Sequence, residues 1–200
     1  MGVNRDTPGL QFQPLTRDRW GDFETLFTAS SAETLGNPSR CWCMEWRRPG
    51  PDWQREAGEG NRSAMEALVR GGEIPGILAY LDSEPVGWCS VSPRASLSRL
   101  VAEGEFRYPD RGDVWSIICF YVAEKHHGRG IMKGLLAAAV EYASSQGARI
   151  VEAYPTEPEH FGDGAGGSLL QFEKIGFVQV HRISNWQVTV RYHVEGERRP

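Results

Sequence analysis

Hydrophobic and polar positions along the chain separate strands from helices by their period. Leu10–Leu15 (LQFQPL) alternates as a short strand. From Asp18 to Phe27 the apolar residues Trp20, Phe23, Leu26 and Phe27 recur at helical spacing and predict an amphipathic helix. The segment CWCMEWRRPGPDW (41–53) breaks the periodicity with aromatic residues, cysteines and two prolines, and reads as a loop. The polar stretch Glu56–Arg70 is helix-compatible. From Pro75 the period falls to two: GILAYLD and PVGWCSV flank Ser83-Glu84 as a hairpin. Residues 93–112 are charged and irregular, with a short helix expected over Ala95–Ala102.

Asp113–Val122 (DVWSIICFYV) is almost continuously β-branched and aromatic, the pattern of a central strand covered on both faces. It runs into AEKHHGRGIMKG, which opens a helix reaching Gln146. On that helix Leu135, Leu136, Ala139, Val140 and Ala143 share one face, and Gly147 supplies the stop. RIVEAY follows as a strand, so strand–helix–strand with parallel pairing and a right-handed crossover is expected. Residues 155–167 read as a Gly/Pro/acidic loop, SLLQFEKI as a short helix, and FVQVHR and NWQVTVRYHV as closing strands. The order predicts an α+β chain with a mixed sheet around one core.

Composition narrows the setting. Two hundred residues with 40% apolar and 24% charged content suit one globular domain, not a disordered or fibrous chain. A net charge of −4 offers no electrostatic footprint for nucleic acid. With no long apolar run and no apolar leader at the start, neither a membrane span nor secretion is expected, and the expected location is cytoplasmic. Cys41 and Cys43 stand too close for the usual pair of metal ligands, and Cys89 and Cys119 lie in strand-like runs. Reduced thiols and no metal are the expectation.

Candidate chemistry concentrates in CFYVAEKHHGRGIMKGLL (119–136). A hydrophobic strand enters a turn containing Gly128 and Gly130 and leaves in an amphipathic helix. Glycines bring backbone N–H groups close to a ligand, and a helix start adds unpaired donors and a positive dipole end. Such a turn suits a pyrophosphate, although it is neither a dinucleotide fingerprint nor a Walker loop.

The stretch resembles the acetyl-CoA signature of the GNAT N-acetyltransferase superfamily, Arg/Gln-x-x-Gly-x-Gly/Ala, with its frame on His127-Gly128-Arg129-Gly130-Ile131-Met132. His127 stands in place of Arg or Gln, and Met132 in place of the last small residue. EAYP resembles the family's fifth strand, SLLQFEKIGF its fourth-helix ending, and GILAYLDSEPVGWCSV the hairpin of its second and third strands. The resemblance covers about 74–193, with an echo over 10–70.

It implies a sheet of about seven strands flanked by helices, with strands four and five splayed around acetyl-CoA. Residues 1–9 read as a flexible tail and 10–200 as a single domain. That domain divides into an acceptor-shaping part, 10–73, and a donor-binding core, 74–193. Backbone from 127 to 132, with Arg129 and Lys133, would meet the pyrophosphate, and Phe120, Tyr121 and Val122 the pantetheine amides. The implied reaction is direct attack of a small-molecule or peptide amine on the thioester, in a superfamily where homodimers are common.

Two standard groups differ. The family's strand-four Glu corresponds to Ser116, which can hold a relay water, and its acidic Tyr corresponds to Phe172. Asp113 and, across the expected pairing, Glu152 are the nearest carboxylates; each reads first as a solvated strand-end charge and second as the base. Tyr154, Tyr121 or Ser168 could substitute as the acid, Tyr154 being favoured because it ends the splayed strand, and the side chains of His126 and His127 read equally as cofactor-facing or as solvated loop residues. Trp42, Glu45 and Trp46 fall where the family shapes its acceptor pocket; the cluster around them reads first as a hydrophobic plug and second as a substrate wall. A CoA-binding sensor or partner-binding module with a degenerate site is the alternative to an enzyme.

Overall fold

The computed structural model describes residues 8–29, 38–103, 113–156 and 168–194. The chain forms one seven-stranded sheet. Its strands are β1 (Leu10–Pro14), β2 (Gly76–Leu81), β3 (Glu84–Pro93), β4 (Val114–Val122), β5 (Ile150–Ala153), β6 (Val178–Arg182) and β7 (Val188–His193). Their spatial order is β1-β2-β3-β4-β5-β7-β6. Only β4 and β5 are parallel; every other neighbouring pair is antiparallel. The mixed α+β architecture expected from the sequence is what the chain adopts, and β1 joins the N-terminal segment to the same sheet.

Helices cover both faces. The helices are α1 (Trp20–Thr28), α2 (Pro38–Cys41), α3 (Gly50–Arg55), α4 (Glu59–Arg70), α5 (Ser98–Glu103), α6 (Ile131–Ser145) and α7 (Leu169–Glu173). The apolar stripe of α6 (Ile131, Leu135, Leu136, Ala139, Val140, Ala143) packs with Ile77, Cys89, Val91, Ile117, Val151 and Val190 into one core. Gly134 lets α6 approach β1: a Cβ there would lie 2.2 Å from the Phe12 ring. On the other face α1 and α4 bury Phe23, Phe27, Met65 and Val69 against Leu78 and Trp88.

Several local expectations change. The hairpin turns on Asp82–Ser83 (φ +49° and +70°), and Glu84 already belongs to β3, because two consecutive left-handed residues match the strands' twist. The segment read as a loop at 41–53 ends α2 and contains α3, whose Pro51 sits in the first helical turn, where a missing N–H costs nothing. The helix expected over 95–102 is a 3₁₀ turn, Arg94–Ser96, followed by α5. β4 is covered on both faces only in its first half; Cys119–Val122 are half-buried. Residues 1–7 of the tail expected over 1–9, and 157–167 of the loop expected over 155–167, lie outside the described residues. Among the described residues no helix is long and apolar enough to cross a membrane.

Candidate active site

The site begins where the sheet opens. β4 and β5 pair only over Val114–Ile117 and Ile150–Ala153. Beyond Ala153 the chain turns away, and Thr156 bridges to Ser168 and Gln187 instead. β4 continues to Val122, paired with β3 alone, so its far edge faces no strand among the described residues. On β3, Ser90 opposes Cys119 and Val91 opposes Ile117, which leaves Ile118 as an extra, bulged residue. A bulge at a fork re-aims the backbone amides around it.

The strand feeds a 3₁₀ turn, Glu124–His126, and then Gly128 and Gly130, both left-handed (φ +76° and +75°). A Cβ at either glycine would meet nothing within 4 Å, so the turn is open to solvent. The first-turn N–H groups of α6 lack intrahelical acceptors, and Arg129 and Lys133 stand exposed beside them. An open turn of donors with cations beside it fits a diphosphate. The exposed His127 ring is 2.8 Å from the Val122 carbonyl oxygen and ties the strand end to the turn. Met132 is half-buried. His126, for which the sequence allows a solvated loop position as one of two equal readings, is buried, its Nε2 3.8 Å from Glu84 Oε2.

At the base of the fork a polar row crosses the sheet: Ser92, Ser116, Glu152 and Arg191 are successive register partners on β3, β4, β5 and β7. Glu152, read from the sequence as a solvated charge, is fully buried. Arg191 Nε donates to its Oε2 at 2.7 Å, and Arg94 Nη1 lies 3.3 Å from Oε1. Isolated carboxylates do not survive such burial, so the two guanidiniums are what keep it there. Tyr154 donates its hydroxyl to Glu152 Oε1 at 2.5 Å, and Ser116 Oγ is 3.1 Å from the Tyr154 oxygen. Burial, with the Glu152 charge behind it, raises the Tyr154 phenol well above its ordinary range. Both hydroxyls are buried, and the Tyr154 proton is engaged by Glu152. Asp113 is exposed at the start of β4. Phe172 sits fully buried against Phe120 and Phe177, ring centroids 6.0 and 5.2 Å away.

Beside β4, against α1, α2 and α3, lies a cavity of about 290 Å³ lined by Phe27, Cys41, Cys43, Glu45, Trp53 and, on β4, Cys119–Tyr121. Trp42 and Trp46 are not part of its wall. Trp42 is buried and stacks on Phe27 at 5.4 Å, completing the plug over the sheet. Trp46 packs beneath the Arg99 guanidinium, 4.9 Å from the ring centroid. Glu45 does line the cavity, 3.9 Å from Arg99.

Three thiols, Cys41, Cys43 and Cys119, line this cavity together, which spacing alone did not reveal. Trp42 and Cys43 are both left-handed (φ +45° and +53°), a conformation costing roughly 1–2 kcal/mol for each non-glycine residue. Interaction with the Cys43 thiol foremost, and with the backbone N–H groups of Glu45 and Cys43, holds the Cys41 thiol below its usual range against burial and the Glu45 charge. Burial pushes the Cys43 thiol well up; it reaches toward Cys119 as well, and Trp88 Nε1–H donates to its sulfur at 2.9 Å. Among the described residues no cluster of metal-ligating side chains occurs.

Comparison with known proteins agrees with this geometry. A model of the acetyltransferase (GNAT) family matches residues 39–171, and the chain belongs to that family, whose acyl donor is acetyl-CoA. Similar solved structures include the GNAT domain of PAT from S. lividans, at 17% identity and TM-score 0.56, covering 96% of this chain and 95% of that one. PaiA N-acetyltransferase from Thermoplasma acidophilum, in complex with coenzyme A, is 11% identical with TM-score 0.54, covering 92% and 99%. The putative acetyltransferase yncA from Salmonella typhimurium, with acetyl-CoA, is 12% identical with TM-score 0.50, covering 96% and 98%. No match was found among curated proteins.

Proposed function

We propose that this protein is a cytoplasmic N-acetyltransferase that moves the acetyl group of acetyl-CoA to a primary amine of a small molecule or peptide. The observation that carries the reading is the opening of the sheet beyond Ile117 and Ala153 toward the open Gly128–Gly130 turn. In this reading the backbone of His127–Met132, with Arg129 and Lys133, holds the pyrophosphate, and the free edge of Phe120, Tyr121 and Val122 holds the pantetheine arm. The cavity beside β4 receives the acceptor, with Glu45 meeting its ammonium group and Phe27 and Trp53 its apolar body. Ser116 and Tyr154 act as positioning residues: through Glu152 they fix the base of the fork.

An alkylamine is mostly protonated at neutral pH, so the acceptor must shed a proton before attack. Glu45 is the carboxylate in the cavity wall and takes that part. The test is thiol release from acetyl-CoA across a panel of primary amines. The expected result is release that depends on the amine and is lost in Gly130→Glu. A second reading, a CoA-binding module without turnover, is favoured by Ser116 and Phe172 at the places of the family's usual base and acid. Acetyl-CoA binding with no turnover on any amine would establish that second reading instead.

A further inference from the structure

We infer that the acceptor is a free amino acid with an apolar side chain, held at its carboxylate by Arg40 and the Trp53 indole N–H and at its ammonium by Glu45. The inference rests on the acetyl-CoA-dependent function proposed above and keeps its direct attack; it narrows the small-molecule or peptide amine to one class. Two observations carry it. The Trp53 indole nitrogen is buried and has no hydrogen-bond acceptor, although Trp53 lines the cavity. A buried donor left unpaired in a folded chain calls for an explanation, and a bound acceptor atom is one. Arg40 lines the same cavity, and its guanidinium has no partner among the described residues. A single buried side chain places both donors. Asn61, on α4, is fully buried, and its Nδ2 donates to the carbonyl oxygens of Arg40 at 3.0 Å and Trp53 at 3.2 Å. Its Oδ1 accepts from Arg48 Nη1 at 3.2 Å, and the Gly58 N–H adds a bond of 3.0 Å to the Arg40 carbonyl. The end of α2 is thereby clamped to α3, while the Arg40 side chain stays exposed.

The charges of the wall suit a zwitterion. Among the described residues that line it, Arg40 and Glu45 carry formal charge, one of each sign. Arg99, outside the wall, stands 3.9 Å from the Glu45 carboxylate. A guanidinium meets a carboxylate through two parallel N–H bonds, a fit that a neutral group does not match. Phe27, Trp53 and Tyr121 offer apolar surface to a side chain. The cavity, about 290 Å³, lies at the small end of ligand pockets and suits a single amino acid better than a longer peptide. A peptide N-terminus would bring a neutral amide to Arg40. A plain alkylamine would leave both donors without an acceptor.

The experiment measures kcat/KM with acetyl-CoA for L-phenylalanine and L-leucine, and for phenethylamine and 3-methylbutylamine, the same molecules without the carboxylate. The native chain should favour each amino acid over its amine by about tenfold or more. Arg40→Gln should cut that ratio by about tenfold, through KM more than kcat, and Arg40→Lys, which keeps the charge but not the fork, by less. Trp53→Phe should cut it by about threefold, since it removes the N–H and keeps an aromatic ring. Losses of folding or of donor binding affect amino acid and amine alike and cancel in the ratio. Calorimetric titration of each amino acid into the full chain saturated with CoA reads acceptor binding without turnover. Binding that weakens in Arg40→Gln, with no turnover of any amine, would overturn the enzyme reading and keep the amino-acid site. An amine used as well as its amino acid, or a ratio unchanged in Arg40→Gln, would overturn the inference and leave amine acetylation standing. Failure of both amino acids to bind would overturn it whatever the turnover of other amines.

Discussion

Glu152 shows how much a single residue's role depends on partners far along the chain. In the sequence it is one carboxylate in a short strand, and nothing in EAYP marks it as buried. Its stabilising cation, Arg191, lies 39 residues on and reaches it only because β7 pairs with β5. Removing one member of a buried pair strands the other in a low dielectric. Glu152→Gln should therefore cost about 3–5 kcal/mol in denaturant unfolding. Tyr154→Phe removes one donor from the same carboxylate and should cost about 1–3 kcal/mol. If Tyr154 only positions the fork, acetyl-CoA affinity should be nearly unchanged in that variant. The thiol set was hidden for the same reason: a Cys-x-Cys spacing is visible, but the sulfur of Cys119 comes from a strand on the other side of the hairpin.

At the scale of elements, legibility followed periodicity. The β4–α6–β5 unit was plain because a doubly apolar strand, a glycine turn and an apolar stripe stand in succession, and each uses a rule local to its own residues. The α3 helix was missed because its prolines read as breakers, although a proline in the first turn starts a helix as readily as it ends one. The two-sided burial expected for β4 failed in its second half because β5 departs, and strand divergence leaves no mark on a period of two. The close seating of α6 on β1 rests on Gly134. Gly134→Val forces the Phe12 ring aside and should destabilise by about 1–3 kcal/mol or more in thermal or denaturant unfolding. Adding Phe12→Leu should recover part of that loss; an additive double variant would mean that the two residues do not meet.

For the molecule as a whole, the sheet, its two helical faces and the opening between β4 and β5 lie beside a cavity, and the proposed function sets the donor in that opening. The family was legible because its signature lies in one continuous stretch and its other features follow in order. The cavity beside β4 was not, because it draws on α1, α2, α3 and β4 at once. A donor that binds only the folded chain should raise its stability, by about 2.7 kcal/mol at a hundred times its dissociation constant. The most direct test of where the donor binds is calorimetric titration of acetyl-CoA into the native chain, Gly130→Ala and Gly130→Glu. Both variants carry the same backbone strain at a left-handed position, but only glutamate sets a negative charge at the open turn. The expected result is binding by the native chain, a modest loss for alanine, and a further loss of about tenfold or more for glutamate. Equal affinity in all three would contradict the placement of acetyl-CoA at the Gly128–Gly130 turn.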